Sequence, residues 1–137
     1  MEKPIIKDVI FLGQKSLPAT PEDVAAADDL IDTFNAHAGE CVGMAANMIG
    51  VKRCIIVFET AENRYMEMFN PRIIRKSVPY ETAEGCLSLN GVRAVTRYQN
   101  IKVQWQTRDF RTRERTFTGR VAQIIQHEID HCNGVLI

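Results

Sequence analysis

The chain has 137 residues and a formal net charge of zero, with 17 basic and 17 acidic side chains. Apolar residues make up 45% of the sequence and charged residues 25%, which is typical of a globular protein, and the length predicts a single domain over residues 1–137. These values argue against intrinsic disorder, and no apolar run approaches the roughly 20 residues that a membrane span needs.

The N-terminal part of the sequence predicts one amphipathic helix. Residues 20–23 read Thr-Pro-Glu-Asp, which is typical of a helix start with a Thr cap, a Pro at the first position and acids in the first turn. Apolar residues then recur at helical spacing from Val24 to Phe34. Gly39 is the predicted end of this helix.

The middle of the chain predicts strands. They are expected at residues 53–58, 64–69, 101–107 and 115–118. Asn70-Pro71 is expected to end the second strand, and residues 109–113 are expected to form the turn before the last one.

The last predicted element is a helix over residues 120–132, closed by Asn133-Gly134. A helix, several strands and a final helix predict an α+β fold. We expect antiparallel strands packed around the C-terminal helix, with the other helix near the N-terminus.

The most specific pattern lies in this final helix, where residues 127–131 read His-Glu-Ile-Asp-His. Four residues advance a helix by about 400°, so the imidazoles of His127 and His131 share one face and can bind one metal ion. Glu128 is then close enough to reach a water on that ion. The alternative is a solvated helix face whose histidines bind nothing.

A third metal ligand has to come from elsewhere, because a hydrolytic site usually has three protein ligands and no His, Asp or Glu follows His131. The candidates are the upstream carboxylates and the side chains of His37, Cys41, Cys54 and Cys86. Cys86 is favoured because Gly85 allows close backbone approach and a thiolate suits a divalent ion. Cys54 and Cys132 are instead expected to be small buried side chains.

Small residues flanked by glycines fill residues 43–50. Such a segment suits a tight backbone wall beside a ligand, although close packing is an equally simple interpretation.

Three segments together resemble the peptide deformylase family. They read CVGMAANM at residues 41–48, EGCLS at residues 84–88 and QHEIDH at residues 126–131, in the family's order. The second and third match the family's motifs in full, and the resemblance extends over nearly the whole chain.

The resemblance implies a hydrolase that removes the formyl group from the N-formylmethionyl peptides of newly made proteins. It implies that Cys86, His127 and His131 hold a metal ion and that Glu128 is the general base. The other implied roles belong to the Leu87 N–H for the oxyanion, Gly43 for the peptide backbone, Met44 and Ile124 for the methionine pocket, and Arg93 near the substrate backbone.

The implied cofactor is one divalent metal ion. The family uses Fe(II), which nickel or cobalt replaces well and zinc poorly in many members. One thiolate and two imidazoles are compatible with all of these ions, so the residue types do not select one.

Two positions depart from the family's glycine-rich motif. Cys41 stands where the family has a glycine, and Met48 stands where it has the glutamine that donates to the oxyanion. A thioether has no proton to donate, and losing one such donor typically costs about 2.7–4 kcal/mol. Asn47 is a candidate replacement donor. Two further interpretations therefore stay open: a weak or inactive homologue that binds metal and formylated peptides, and a general HExxH peptidase.

Two residues beside the implied ligands are expected to support them. Glu84 is expected to orient a ligand histidine by accepting its other N–H. Asp130 is expected either to cap nearby backbone or to pair with an arginine.

Partners and location follow from charge and from the N-terminus. Residues 93–120 hold eight bases and two acids. We interpret this run as a solvated hairpin, with phosphate contact at a ribosome surface as the weaker alternative. The implied formylmethionine substrate indicates a bacterial or organellar setting. No signal or transit peptide is visible, so a bacterial cytoplasm is expected, without a membrane or a specific nucleic acid as partner.

Overall fold

The computed structural model describes residues 1–61 and 63–137. Within them the helices are α1 (Val9–Leu12), α2 (Val24–Ala36) and α3 (Gly119–Cys132), with 3-10 turns at Pro21–Asp23 and Ala46–Ile49. The strands are β1 (Gly43–Ala45), β2 (Ile55–Ala61), β3 (Arg64–Cys86), β4 (Leu89–Gln106) and β5 (Thr112–Thr118). Helices near both ends and strands between them confirm the predicted α+β fold.

The start of α2 follows the sequence signal. The Thr20 N–H donates to the Asp23 carboxylate at 2.7 Å, closing a capping box ahead of the helix. The helix buries Ala27, Leu30 and Phe34 on one face, which is the predicted apolar repeat.

The five strands form one antiparallel sheet in the order β1-β2-β3-β4-β5. Its two longest strands, β3 and β4, pair over most of their length as one hairpin. The sequence predicted only the start of β3, at residues 64–69, and the end of β4, at residues 101–107, which lie at the same open end of the hairpin. The rest of the two strands shows no regular apolar alternation, and its strand conformation comes from the pairing itself.

The prediction that Asn70-Pro71 ends a strand was wrong. β3 continues through both residues, with a register shift between Phe69 and Arg72 that leaves Pro71 outside the ladder. Asn70 has a φ of 51° there. Its amide accepts from the Ala19 N–H at 2.8 Å and donates to the Ala19 carbonyl at 3.0 Å, so the bulge anchors the segment before α2.

Alternate residues of β2 face two different cores, as strand geometry requires. Ile56 and Phe58 pack with the apolar residues of α3, whereas Ile55 and Val57 pack with those of α2. α3 lies against β1, β2 and β4, which brings its His-Glu-Ile-Asp-His turn beside the end of β3. No helix in the described part of the chain is both long and apolar enough to cross a membrane.

Candidate metal centre and active site

Three ligand-type side chains converge where β3 meets α3. Cys86 is the last residue of β3, and His127 and His131 lie one turn apart on α3. The Nε2 atoms of the two histidines are 3.1 Å apart, and the Cys86 Sγ atom is 3.3 Å from the Nε2 of His131. One ligand atom from each residue lies within 4.8 Å of the others, so the three can reach a single ion.

The surroundings of this cluster shift the pKa values of its two histidines in opposite directions. Burial opposes the charged form of His127, but hydrogen bonds to Cys86 and Glu84 outweigh it and raise the pKa to about 10. Burial and the charge on His127 lower the pKa of His131 to about 3. The donor set of one thiol and two imidazoles fits a divalent metal cation, which would bind in competition with protons.

Glu84 holds His127 from the side opposite the cluster. The His127 Nδ1 atom lies 2.8 Å from Glu84 Oε1, so this N–H donates outward and Nε2 faces Cys86. Burial raises the pKa of Glu84, but hydrogen bonds from His127, Arg97 and Gln123 outweigh it and lower the pKa to about 2. Glu84 is therefore ionised at neutral pH, and it accepts the outer N–H of a histidine of the cluster, as expected from the sequence.

Arg97 links this carboxylate to the far side of α3. Its guanidinium donates to Glu84 at 2.7 Å and to Asp130 at 2.6 Å, and only 4% of the residue is exposed. Of the two roles expected for Asp130, the structure shows the arginine pair. One buried cation therefore holds the end of β3 and the HExxH turn together.

Glu128 is buried against β1. Its Oε1 atom has no hydrogen-bond partner among residues 1–61 and 63–137. Burial raises the pKa of its carboxyl to about 7, and the nearby positive charge of His127 limits the rise. A carboxylate of this kind is well matched to accepting a proton near neutral pH.

Gly43 allows the backbone of β1 to approach Glu128. A Cβ atom at this position would lie 2.6 Å from Glu128 Oε2 and 2.9 Å from Ile124 Cγ2. A side chain at this position would therefore require Glu128 or Ile124 to move, which is the steric reason for a glycine here.

A cavity of about 900 Å³ opens over the cluster. Of the residues expected at the site, it is lined by Cys86, Leu87, His127, Glu128, Gly43, Ile124 and Met48. It is also lined by Glu59, Arg120 and Gln123, which the sequence analysis missed. Arg120 and Gln123 precede His127 at helical spacing, so their shared face could have been read from the sequence.

Two expected substrate residues lie elsewhere. Met44 follows Gly43 in β1 and so faces the opposite side of the sheet, where it is fully buried in the core beneath α2. The Arg93 guanidinium donates to the Asn90 carbonyl at 3.2 Å and does not line the cavity. Neither residue lines this cavity, and their expected roles stay predictions.

The two departures from the glycine-rich motif both lie at the cavity. The Met48 Sδ atom accepts a hydrogen bond from the Ala45 N–H at 3.5 Å. Cys41 is half-buried there, and burial raises its pKa to about 12. Asn47, the candidate replacement donor, points away from the cavity and donates to the His131 carbonyl at 2.9 Å.

Cys54 and Cys132 follow their expected roles, whereas the basic run is not wholly a solvated hairpin, because Arg97 is only 4% exposed. Cys132 is buried in the core beneath α3 and Cys54 packs against it, and all four cysteines are free thiols. Within residues 1–61 and 63–137, ion pairs engage five bases of the run: Arg97, Lys102, Arg108, Arg111 and Arg120.

Comparisons with known proteins agree with this geometry. The model of the family described as polypeptide deformylase matches residues 6–137. A peptide deformylase of Clostridium beijerinckii is 53% identical over 137 residues, covering 100% of both chains. One of Thermoanaerobacter pseudethanolicus is 36% identical over 129 residues, which are 91% of this chain and 79% of the relative.

Solved structures show the same likeness. The Met-Ala-Ser-bound class I type b peptide deformylase of Acinetobacter baumannii has a TM-score of 0.87 at 27% identity, covering 99% of this chain and 97% of the other. The Thermotoga maritima peptide deformylase has a TM-score of 0.88 at 27% identity, covering 99% and 95%. By sequence and by fold, this chain belongs to the peptide deformylase family.

Proposed function

We propose that the protein is a metal-dependent hydrolase that removes the formyl group from N-formylmethionyl peptides. The observation that carries the proposal is the convergence of Cys86, His127 and His131 under one cavity, with the buried Glu128 beside them. Bacterial deformylases as relatives support a bacterial setting, in which new proteins begin with formylmethionine.

Cys86, His127 and His131 are the proposed metal ligands, and Fe(II) is the proposed ion, with nickel, cobalt and zinc compatible with the same donors. A bound divalent ion supplies Lewis-acid chemistry, polarising the formyl carbonyl and making water more acidic.

The chain's own residues account for proton transfer and charge. Glu128 accepts a proton from water as its oxygen adds to the formyl carbon. Glu128 then gives that proton to the amide nitrogen as the C–N bond breaks, which yields formic acid, ionised to formate in water, and a free amine. The Leu87 N–H, next to Cys86 at the cavity wall, is proposed to donate to the developing oxyanion.

The cavity wall also suggests how the peptide is held. Gly43 lies at the cavity in β1, so its backbone is proposed to hydrogen-bond an extended peptide. Ile124 and Met48 line the same cavity and are proposed to contact the methionine side chain. The cavity is also lined by Glu59 and Arg120, and its volume of about 900 Å³ leaves room for the following residues.

A second candidate is a weak or inactive homologue that keeps the metal and the formylated peptide. Met48 favours it, because its sulfur has no proton to donate and Asn47 is engaged with the His131 carbonyl. The intact Cys86, His127, His131 and Glu128 favour hydrolysis.

The test is formate release from formyl-Met-Ala-Ser, whose deformylated form is bound in the Acinetobacter structure. Protein purified without oxygen and loaded with Fe(II) or nickel should release formate, and removal of the ion or Cys86→Ala should stop it. Cys54→Ala is the matched control and should retain activity. A loaded, folded protein that binds the peptide without releasing formate would favour the second candidate.

A further inference from the structure

The two histidines of the cluster are held differently. His127 donates its Nδ1–H to Glu84 at 2.8 Å. The Nδ1 atom of His131 is buried and has no hydrogen-bond partner in the described part of the chain. This difference matters if both residues bind an ion through Nε2, because each neutral ring then carries its proton on Nδ1.

Asn47 is hydrogen-bonded through its side chain to the backbone of His131. It lies in the 3-10 turn Ala46–Ile49, and its Nδ2 donates to the His131 carbonyl at 2.9 Å. Only 1% of Asn47 is exposed, and its Oδ1 has no partner among residues 1–61 and 63–137.

The two unpartnered atoms are complementary. His131 Nδ1 is a donor once Nε2 is a ligand, and Asn47 Oδ1 is an acceptor. They belong to two residues that one hydrogen bond already joins. Buried polar atoms are nearly always satisfied in native proteins, by each other or through a buried water.

We propose that Asn47 is a positioning residue for His131, its Oδ1 accepting the Nδ1–H of the imidazole directly or through one buried water. This inference rests on the proposed metal site. Asn47 then does for the second histidine what Glu84 does for the first, and it fixes the ring so that Nε2 faces the ion.

A purely structural role for Asn47 is the competing explanation. The amide would then only add a second donor to the His131 carbonyl near the end of α3, which already accepts from the Gly134 N–H at 3.1 Å. Such a role predicts a loss of folding stability without a change in metal affinity.

The experiment measures the affinity for Zn(II), by chelator competition, in wild type and three variants. Asn47→Leu removes both polar atoms and should weaken the affinity about 10- to 100-fold. Asn47→Asp keeps an acceptor and loses the amide donor, so it should bind more tightly than Asn47→Leu. Thr33→Val is the control, because Thr33 is buried in α2 and donates to the Asp29 carbonyl at 2.8 Å, away from the cluster.

The inference is overturned if wild type binds Zn(II) and Asn47→Leu binds it equally well, or if Asn47→Asp is as weak as Asn47→Leu. Failure of wild type itself to bind would overturn the proposed metal site instead. If Asn47→Leu does not fold, ¹⁵N NMR of Zn(II)-loaded wild type decides. A His131 Nδ1–H proton with the downfield chemical shift of a hydrogen-bonded group supports the link, and the shift of a free imidazole N–H contradicts it.

Discussion

Glu84 and His127 are joined by a 2.8 Å hydrogen bond that aims the opposite ring nitrogen at Cys86 and His131. Glu84 can do this because Arg97 and Gln123 also bind it and keep it ionised. The geometry of the candidate metal centre therefore depends on a buried ionic network behind it.

We expect Arg97→Met to destabilise the metal-free protein strongly. The change removes the guanidinium from the buried Glu84, which keeps only His127 as a cationic partner, and breaking a buried pair typically costs about 3–5 kcal/mol. Arg108→Met is the control, since Arg108 pairs with Glu67 and Asp28 at the surface and should cost at most about 1 kcal/mol. Urea unfolding at neutral pH measures the free energy of unfolding of both variants. Equal decreases would show that the buried ion pairs stabilise the protein no more than the surface pairs do.

Gly43→Ala should disturb both folding and Glu128. The added methyl would lie 2.6 Å from Glu128 Oε2, and overpacking of this kind typically costs about 1–3 kcal/mol. At Gly85 the same methyl would be 3.6 Å from the Gly91 carbonyl oxygen, an ordinary contact, so Gly85→Ala should be tolerated. Thermal unfolding and formate release of the two variants make the comparison, and a fully active, stable Gly43→Ala would contradict the close packing described here.

Met48→Gln should increase the rate of formate release. The amide would supply a donor at the cavity wall that the thioether cannot, and one such donor is worth roughly 10²- to 10³-fold in turnover. Met48→Leu offers no donor and should bring no gain. An unchanged rate in Met48→Gln would mean that another group already stabilises the oxyanion.

The stability of the metal-free protein should fall between weakly acidic and neutral pH because of Glu128. Its pKa rises on folding from 4.5 to about 7, so the folded state binds the extra proton over this interval. The stabilisation by the neutral carboxyl is fully present below the unfolded pKa and is lost as the pH rises through the folded pKa. Relative to Glu128→Gln, wild type should lose roughly 3 kcal/mol across this range. If the difference in unfolding free energy between the two proteins did not change with pH, burial would not raise the pKa of Glu128.

The sequence predicted the elements whose signals are local. The Thr20 cap and the apolar repeat after it specify α2, and the residues of the HExxH turn are close in sequence and in space. Cys86 was predicted to be the third ligand through its motif, and the structure brings its sulfur to the histidines.

What the sequence did not reveal depends on pairing between distant segments. Nothing local distinguishes Arg97 from the other bases of its run, and its ion pairs exist because β3, β4 and α3 meet. The side of β1 that Met44 faces was likewise undetermined until β1 paired with β2. The bulge at Asn70 depends on Ala19, 51 residues away.

The most direct test compares wild type with Glu128→Ala, both loaded with Fe(II) or nickel without oxygen, in formate release from formyl-Met-Ala-Ser. The proposed mechanism predicts release by wild type and a loss of roughly 10²-fold or more in Glu128→Ala, with the metal content unchanged. Equal rates in the two proteins, or no release by fully loaded wild type, would contradict it.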